Sequence, residues 1–334
     1  MKRATLGKSG IECSRVAFGA WTIGGWMWGG VEKKEAIRAI HAALNCGIDL
    51  IDTAPVYGFG LSEELIGEAL KDKRHEAVIA TKCGLIWHCS EGELFFHSDE
   101  KHPSMEESKY AVYRCLKPET VRHEVEKSLR RLKTDYIDLY QTHFQDPTTP
   151  IGDTMETLEQ LKREGKIRSI GVCNANCSEM AEYSKFGTIV CDQENYSLLR
   201  REQEKKNLPY CSKHGLSFLP YSPLARGLLS GKLDEKRPLK EGDQRLLNNG
   251  YSVDTRRRVI AALERLKALR NAKGATYAQL AIAWILGRLP FAQVLAGART
   301  AEQVEENARA SDIHLSEDEL EEISEALTFP HTGS

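Results

Sequence analysis

Short β-branched runs recur along this chain between amphipathic helical segments, and that alternation limits its possible folds more than any other feature. The apolar segments predict strands over Arg15–Phe18, Ile48–Ile51, Ala77–Thr81, Tyr136–Thr142, Ile167–Val172, Ile189–Asp192, Ser217–Pro220 and Gln293–Ala296. Strands that alternate with helices build parallel βαβ units. One helix is predicted from Pro118, whose fixed φ and missing N–H suit a first turn; Val121, Val125, Leu129 and Leu132 then mark its buried side. Another is predicted from Asp153, read as its cap with Glu156 three residues on; it would bury Leu158 and Leu161 and end at Gly165.

Eight such units in 334 residues fit a (β/α)8 TIM barrel, expected as a single domain over residues 1–334 with long loops at the C-terminal face. No linker or internal repeat marks a second domain. A doubly wound Rossmann sheet is the runner-up, but it needs G-x-G-x-x-G after the first strand. The chain has Gly19-Ala20-Trp21-Thr22-Ile23-Gly24-Gly25 there, and the spacing is wrong. Met1 to Cys13, turning at Gly7 to Gly10, reads as an N-terminal β-hairpin that plugs the N-terminal end of the barrel.

A formal charge of −2 gives no reason to expect a nucleic-acid groove or an anionic membrane surface as partner. No apolar run is long enough to span a bilayer, and the basic start has no apolar stretch behind it, so a cytoplasmic location is expected. Nine cysteines, an odd and scattered set, suggest reduced thiols. Cys173 and Cys177 are too far apart for a CxxC pair, and His97 with His102 lacks further ligands, so no metal is expected.

In a barrel every strand ends at the same rim, so Asp52, Lys82 and His143, at the ends of strands two, three and four, are expected to meet, with Tyr57 leaning over them from a loop. Taken singly, each has an ordinary reading as a cap, a solvated rim residue or packing. Together they suit proton donation without a strong nucleophile, as in carbonyl reduction by an external hydride. Lys82 is expected to bring the phenol's pKa toward the working range, Asp52 to keep Lys82 charged, and His143 to orient the carbonyl.

Further along, Asn174 and Gln193 follow strands five and six with amides suited to a nicotinamide carboxamide, and Cys173 adjoins them. Strand seven runs into Tyr221-Ser222-Pro223-Leu224-Ala225-Arg226-Gly227, with a ring to stack on nicotinamide and backbone for a pyrophosphate. Strand eight runs into Gly297-Ala298-Arg299-Thr300 and a helix bearing Gln303, Glu306 and Asn307, the usual phosphate position in such barrels. Thr300 and Gln303 also have capping-box spacing and could simply start that helix. Gly19 and Trp21, at the end of strand one, complete the expected cofactor set.

The motifs Asp52-Thr53-Ala54-Pro55-x-Tyr57-Gly58, Thr81-Lys82-Cys83-Gly84, Gln141-Thr142-His143, Gly165-Lys166-Ile167-Arg168-x-Ile170-Gly171-Val172, Tyr221-Ser222-Pro223-Leu224 and Gly297-Ala298-Arg299 stand in this order from end to end. With them the chain resembles the aldo/keto reductases, in particular the bacterial branch related to stress-protein and methylglyoxal-reducing members. The resemblance implies NADPH as hydride donor and an aldehyde, dicarbonyl or ketone as substrate. It also implies Tyr57 as general acid, Lys82 and Asp52 as its tuning pair, His143 as orienting group, and Arg299 beside the adenosine 2′-phosphate. Cys173 departs from the serine of many members, and a thiol is a weaker partner for the carboxamide. A slow, NADP(H)-binding regulatory or redox-sensing subunit is the alternative function. The stretch Gly84 to Lys117 is too long for an ordinary βα loop and would overhang the site. Its Trp87, His88, Phe95, Phe96, Tyr110 and Tyr113 could line a substrate pocket with Trp21, Trp26, Trp28 and His143, or form a small core of their own.

Overall fold

All eight predicted strands form, with ends shifted by no more than three residues. The computed structural model describes residues 1–25, 28, 30–98, 110–239, 243–247 and 249–329. The barrel strands are Val16–Gly19, Leu50–Asp52, Val78–Cys83, Ile137–Thr142, Ile167–Cys173, Ile189–Asn195, Ser217–Tyr221 and Val294–Gly297, each parallel to the next. The eighth closes on the first, with Val294 opposite Val16 and Gly297 opposite Gly19.

Period-two alternation explains what each strand buries. Outward residues such as Phe18, Ile51, Ile79, Tyr140, Ile170 and Phe218 join the large core beneath the surrounding helices. Inward residues lower in the barrel, including Ala17, Leu50, Ala80, Leu139, Leu219 and Leu295, form a second core with Leu6, Ile11 and Cys13 of the hairpin. That hairpin pairs Arg3–Thr5 with Glu12–Ser14 and closes the barrel's floor, as expected. Gly7, at φ +51°, makes the close fit possible: a Cβ there would stand 2.0 Å from the Val190 carbonyl oxygen.

The helix from Pro118 runs to Leu132 and buries Val121, Val125, Leu129 and Leu132. The following helix spans Ile151–Arg163 and buries Leu158 and Leu161, but Asp153 is not its cap. Pro150, with φ already near −60°, stands at the cap position, so the helix starts three residues earlier and Asp153 falls within its first turn, where a carboxylate still favours the N-terminal dipole. Gly165, at φ +77°, follows the helix end. An antiparallel sheet of Leu85–Ile86, Tyr110–Arg114 and Glu93–Ser98 rises from the third barrel strand beside the rim. No helix among the described residues is long and apolar enough to cross a membrane.

Candidate active site

The last inward position of each strand carries a rim residue, and this brings the predicted group together. Lys82, fully buried, donates from Nζ to Asp52 Oδ2 at 2.8 Å, to the Thr53 carbonyl at 2.8 Å and to the Tyr57 hydroxyl at 3.2 Å. Asp52 Oδ1 accepts from Gln193 Nε2 at 2.8 Å and from Gln141 Nε2 at 3.4 Å. The Tyr57 ring meets the His143 ring edge-on, with centroids 5.8 Å apart, and is stacked on Trp21 at 5.9 Å.

Burial and charge compete at each group. Burial pushes the Tyr57 phenol up to about 12, and the Lys82 ammonium offsets only part of that rise. The expected fall toward the working range therefore does not occur, because full desolvation of a phenolate outweighs one neighbouring cation that is itself shared with Asp52. Burial alone would lower Lys82, but Asp52 and then Tyr57 reverse the sign and leave the ammonium raised, which agrees with the expected role of Asp52. His143 is driven well below its usual range, first by burial and then by Lys82, so its imidazole is neutral at neutral pH.

A cavity of about 570 Å³ extends from Tyr57 and His143 to Arg299, within the size range of ligand pockets. Every residue expected to bind the cofactor lines it: Gly19, Trp21, Asp52, Cys173, Asn174, Gln193, Tyr221, Ser222, Pro223, Leu224, Arg226, Gly227, Gly297, Arg299, Gln303, Glu306 and Asn307. Asn174, at φ +55°, donates from Nδ2 to the His143 carbonyl at 2.9 Å and accepts from the Tyr221 hydroxyl at 2.9 Å. The Cys173 thiol donates to Gln193 Oε1 at 3.7 Å. Ser222, Ala225, Arg226 and Gly227 all have positive φ, a cluster of sparsely populated conformations of the kind found at ligand-binding loops. Thr300 and Gln303 do cap the last site helix, as their spacing allows: Thr300 Oγ1 accepts from the Gln303 amide and Gln303 Oε1 from the Arg299 amide.

The far end is strongly basic. Arg226, Lys232, Arg237, Arg245 and Arg299 all line it. Arg245 and Arg299 each lie over the Trp28 ring, at 5.3 and 5.4 Å, and Arg245 pairs with Asp243. Burial, and then the neighbouring Arg245, lower the pKa of Arg299. Glu306 Oε2 accepts from Lys232 Nζ at 2.7 Å, and its buried Oε1 has no partner among the described residues, an acceptor available to a ligand hydroxyl or amine. Cations at one end and amides and aromatic faces at the other fit a nicotinamide dinucleotide.

The inserted sheet divides its aromatics between the two readings left open by the sequence. Phe95 and Phe96 line the cavity with Trp21, Trp28 and Phe144. Trp87, expected in the substrate pocket, does not line it; its ring lies against Phe59 at 5.2 Å, in a cluster with Tyr110. His88 stacks on His123 of the Pro118–Leu132 helix, Tyr113 pairs within the sheet, and Trp26 lies outside the described residues. Sequence reading missed Lys232, Arg237 and Arg245, although basic residues recur just beyond the seventh-strand loop. It also gave Gln141 no role, although period two from Leu139 to His143 places it inward.

A closed barrel that gathers a lysine-supported phenol, a carboxylate and an imidazole at its rim, beside a nucleotide-sized cavity, is the frame of a (β/α)8 oxidoreductase. Residues 15–328 match the aldo/keto reductase family, and the chain belongs to it. It is similar to the NADH-specific methylglyoxal reductase of Escherichia coli, 39% identical over 98% of this chain and 99% of that one. The solved glycerol dehydrogenase of Gluconobacter oxydans shares the fold with a TM-score of 0.84 and 36% identity, over 97% of this chain and 96% of its own. An aldo-keto reductase of Klebsiella pneumoniae, solved with NADPH, gives a TM-score of 0.72 and 26% identity, covering 99% and 97%.

Proposed function

We propose that this chain reduces an aldehyde, dicarbonyl or ketone to the alcohol, with NADPH as hydride donor and Tyr57 as general acid. The observation that carries the reading is the Asp52–Lys82–Tyr57 chain of contacts, 2.8 and 3.2 Å, ending in a phenol at the cavity wall. A bound reduced nicotinamide supplies the hydride to the carbonyl carbon. Tyr57 gives its proton to the carbonyl oxygen as negative charge develops there. A phenol near 12 holds that proton at neutral pH and releases it to an alkoxide, a much stronger base than phenolate. The charge left on the phenolate faces the Lys82 ammonium, which Asp52 keeps protonated. Neutral His143 offers a ring N–H to the same oxygen and fixes the carbonyl's orientation.

The arginines around Arg299 support NADPH, since each offers a planar pair of donors to a phosphate. The Klebsiella relative was solved with NADPH, whereas the name of the Escherichia coli relative specifies NADH and methylglyoxal. The test is a panel of small carbonyls, methylglyoxal included, assayed by loss of nicotinamide absorbance with each nucleotide. Turnover with NADPH is expected. No turnover on any carbonyl, despite tight NADPH binding, would remove the reductase reading, and turnover with NADH alone would remove the choice of NADPH.

A further inference from the structure

Gln141 is fully buried on the inward face of the fourth strand, two residues before His143 and behind the cavity wall. Its Nε2 donates to Asp52 Oδ1 at 3.4 Å, while its Oε1 accepts from Gln193 Nε2 at 3.2 Å and from the Cys191 thiol at 3.6 Å. Gln193 Nε2 also donates to Asp52 Oδ1 at 2.8 Å. A carboxylate only accepts, so both amides must turn their nitrogen ends toward it. Gln193 then spends both N–H groups inside this triangle, one on Asp52 and one on Gln141, and only its oxygen remains for Cys173 and the cavity.

We propose that Gln141 is a positioning residue for the reduction: it closes a triangle with Asp52 and Gln193, and through Asp52 it holds Lys82 in reach of Tyr57. The proposal rests on the reductase reading above. Asp52 has two oxygens and divides them, Oδ2 to Lys82 and Oδ1 to the two amides. Without Gln141, Oδ1 keeps one donor and the Gln193 amide loses the acceptor that fixes its rotation. The Lys82 contact with Tyr57, at 3.2 Å, is the longest of its three, so a shift of Asp52 passes to the phenol. Gly171 on the fifth strand leaves the triangle its room: a Cβ there would meet the Cys191 sulfur at 2.4 Å and Gln141 Cγ at 3.1 Å.

The experiment compares wild type, Gln141→Met, Asp52→Asn and the double variant in the full chain. It measures kcat and KM for a carbonyl that wild type reduces, and the Kd of NADPH by tryptophan fluorescence. Methionine keeps the length and loses the amide. The expected loss for Gln141→Met is about tenfold in kcat, with KM and Kd nearly unchanged, and no further loss in the Asp52→Asn background, because residues acting as one unit are not additive. Equal losses in both backgrounds, or a full rate in the single variant, would overturn the proposal, since a packing role acts independently of Asp52. If Gln141→Met does not fold, Gln141→Asn, one methylene too short to close the triangle, is read in the same way. A wild type inert toward every carbonyl removes the reductase reading itself, and the role of Gln141 falls with it.

Discussion

Replacing Arg299 by alanine separates recognition of a 2′-phosphate from mere packing at a helix start. The guanidinium is half-buried on the cavity wall, stacked over Trp28 at 5.4 Å, with Arg245 on the same ring at 5.3 Å. A hydrogen bond to a charged group contributes about 1.5–3 kcal/mol, or roughly tenfold to a hundredfold in affinity. Arg245 and Arg237 lie close enough to lower the pKa of Arg299, so they would still attract the phosphate in the variant. The loss should therefore lie at the lower end, about tenfold for NADPH. Loss of the stacking contact and of general positive charge acts on both nucleotides, and the ratio of the two Kd values cancels it. Trp21 and Trp28 line the cavity, so quenching of tryptophan fluorescence reports binding of either nucleotide directly. The salt concentration must be held fixed, because ionic strength weakens exposed phosphate contacts. A ratio of NADH to NADPH dissociation constants that is the same in wild type and Arg299→Ala would refute the pairing.

Tyr57→Phe should lower carbonyl reduction by about 10²–10⁴-fold, the usual contribution of a general acid, while the Kd of NADPH stays within twofold; a near-normal rate would exclude the phenol as proton donor. Lys82→Met leaves the Asp52 carboxylate buried without its cation and should cost about 3–5 kcal/mol in urea unfolding; a loss below about 1 kcal/mol would show that the pair is not the buried ion pair described. With the phenol near 12, reduction should be level through neutral pH, because the acid form is already complete. Alcohol oxidation needs the phenolate, whose fraction grows about tenfold per pH unit below the pKa, so its rate should climb from pH 7 to 10; a plateau by pH 8 would contradict the raised phenol.

The strand pattern was legible because each barrel strand is a short apolar run with a fixed period, and the residue at its inward end is the one that reaches the rim. Asp52, Lys82, His143, Cys173, Gln193 and Tyr221 all follow from that rule. What escaped depends on meetings that no local pattern encodes. Gln141 and Gln193 come together from strands four and six, 52 residues apart, and only their joint approach to Asp52 gives either amide a task. Arg245 reaches the cavity from a segment with no periodicity, and Trp87 could have turned either way. The direction of the Tyr57 shift depends on a balance between burial and one ammonium, and a sequence shows the ammonium but not the depth of burial. Asp153 was misjudged because a carboxylate three residues before Glu156 looks the same at the cap position and inside the first turn.

The hairpin floor sets the order in which the molecule can assemble. Leu6 and Ile11 are buried only once the inward faces above them are a closed ring, and that ring closes when Val294–Gly297 pairs with Val16–Gly19. About 280 residues of chain separate the two strands, which at 5–20 residues per second is roughly 15–60 s of synthesis. Arg15 is tied to the same event, since its guanidinium binds the carbonyls of Leu286, Leu289 and Ala292. The hairpin is therefore among the last parts of the molecule to find all its native partners, since its floor is complete only when the eighth strand has paired with the first.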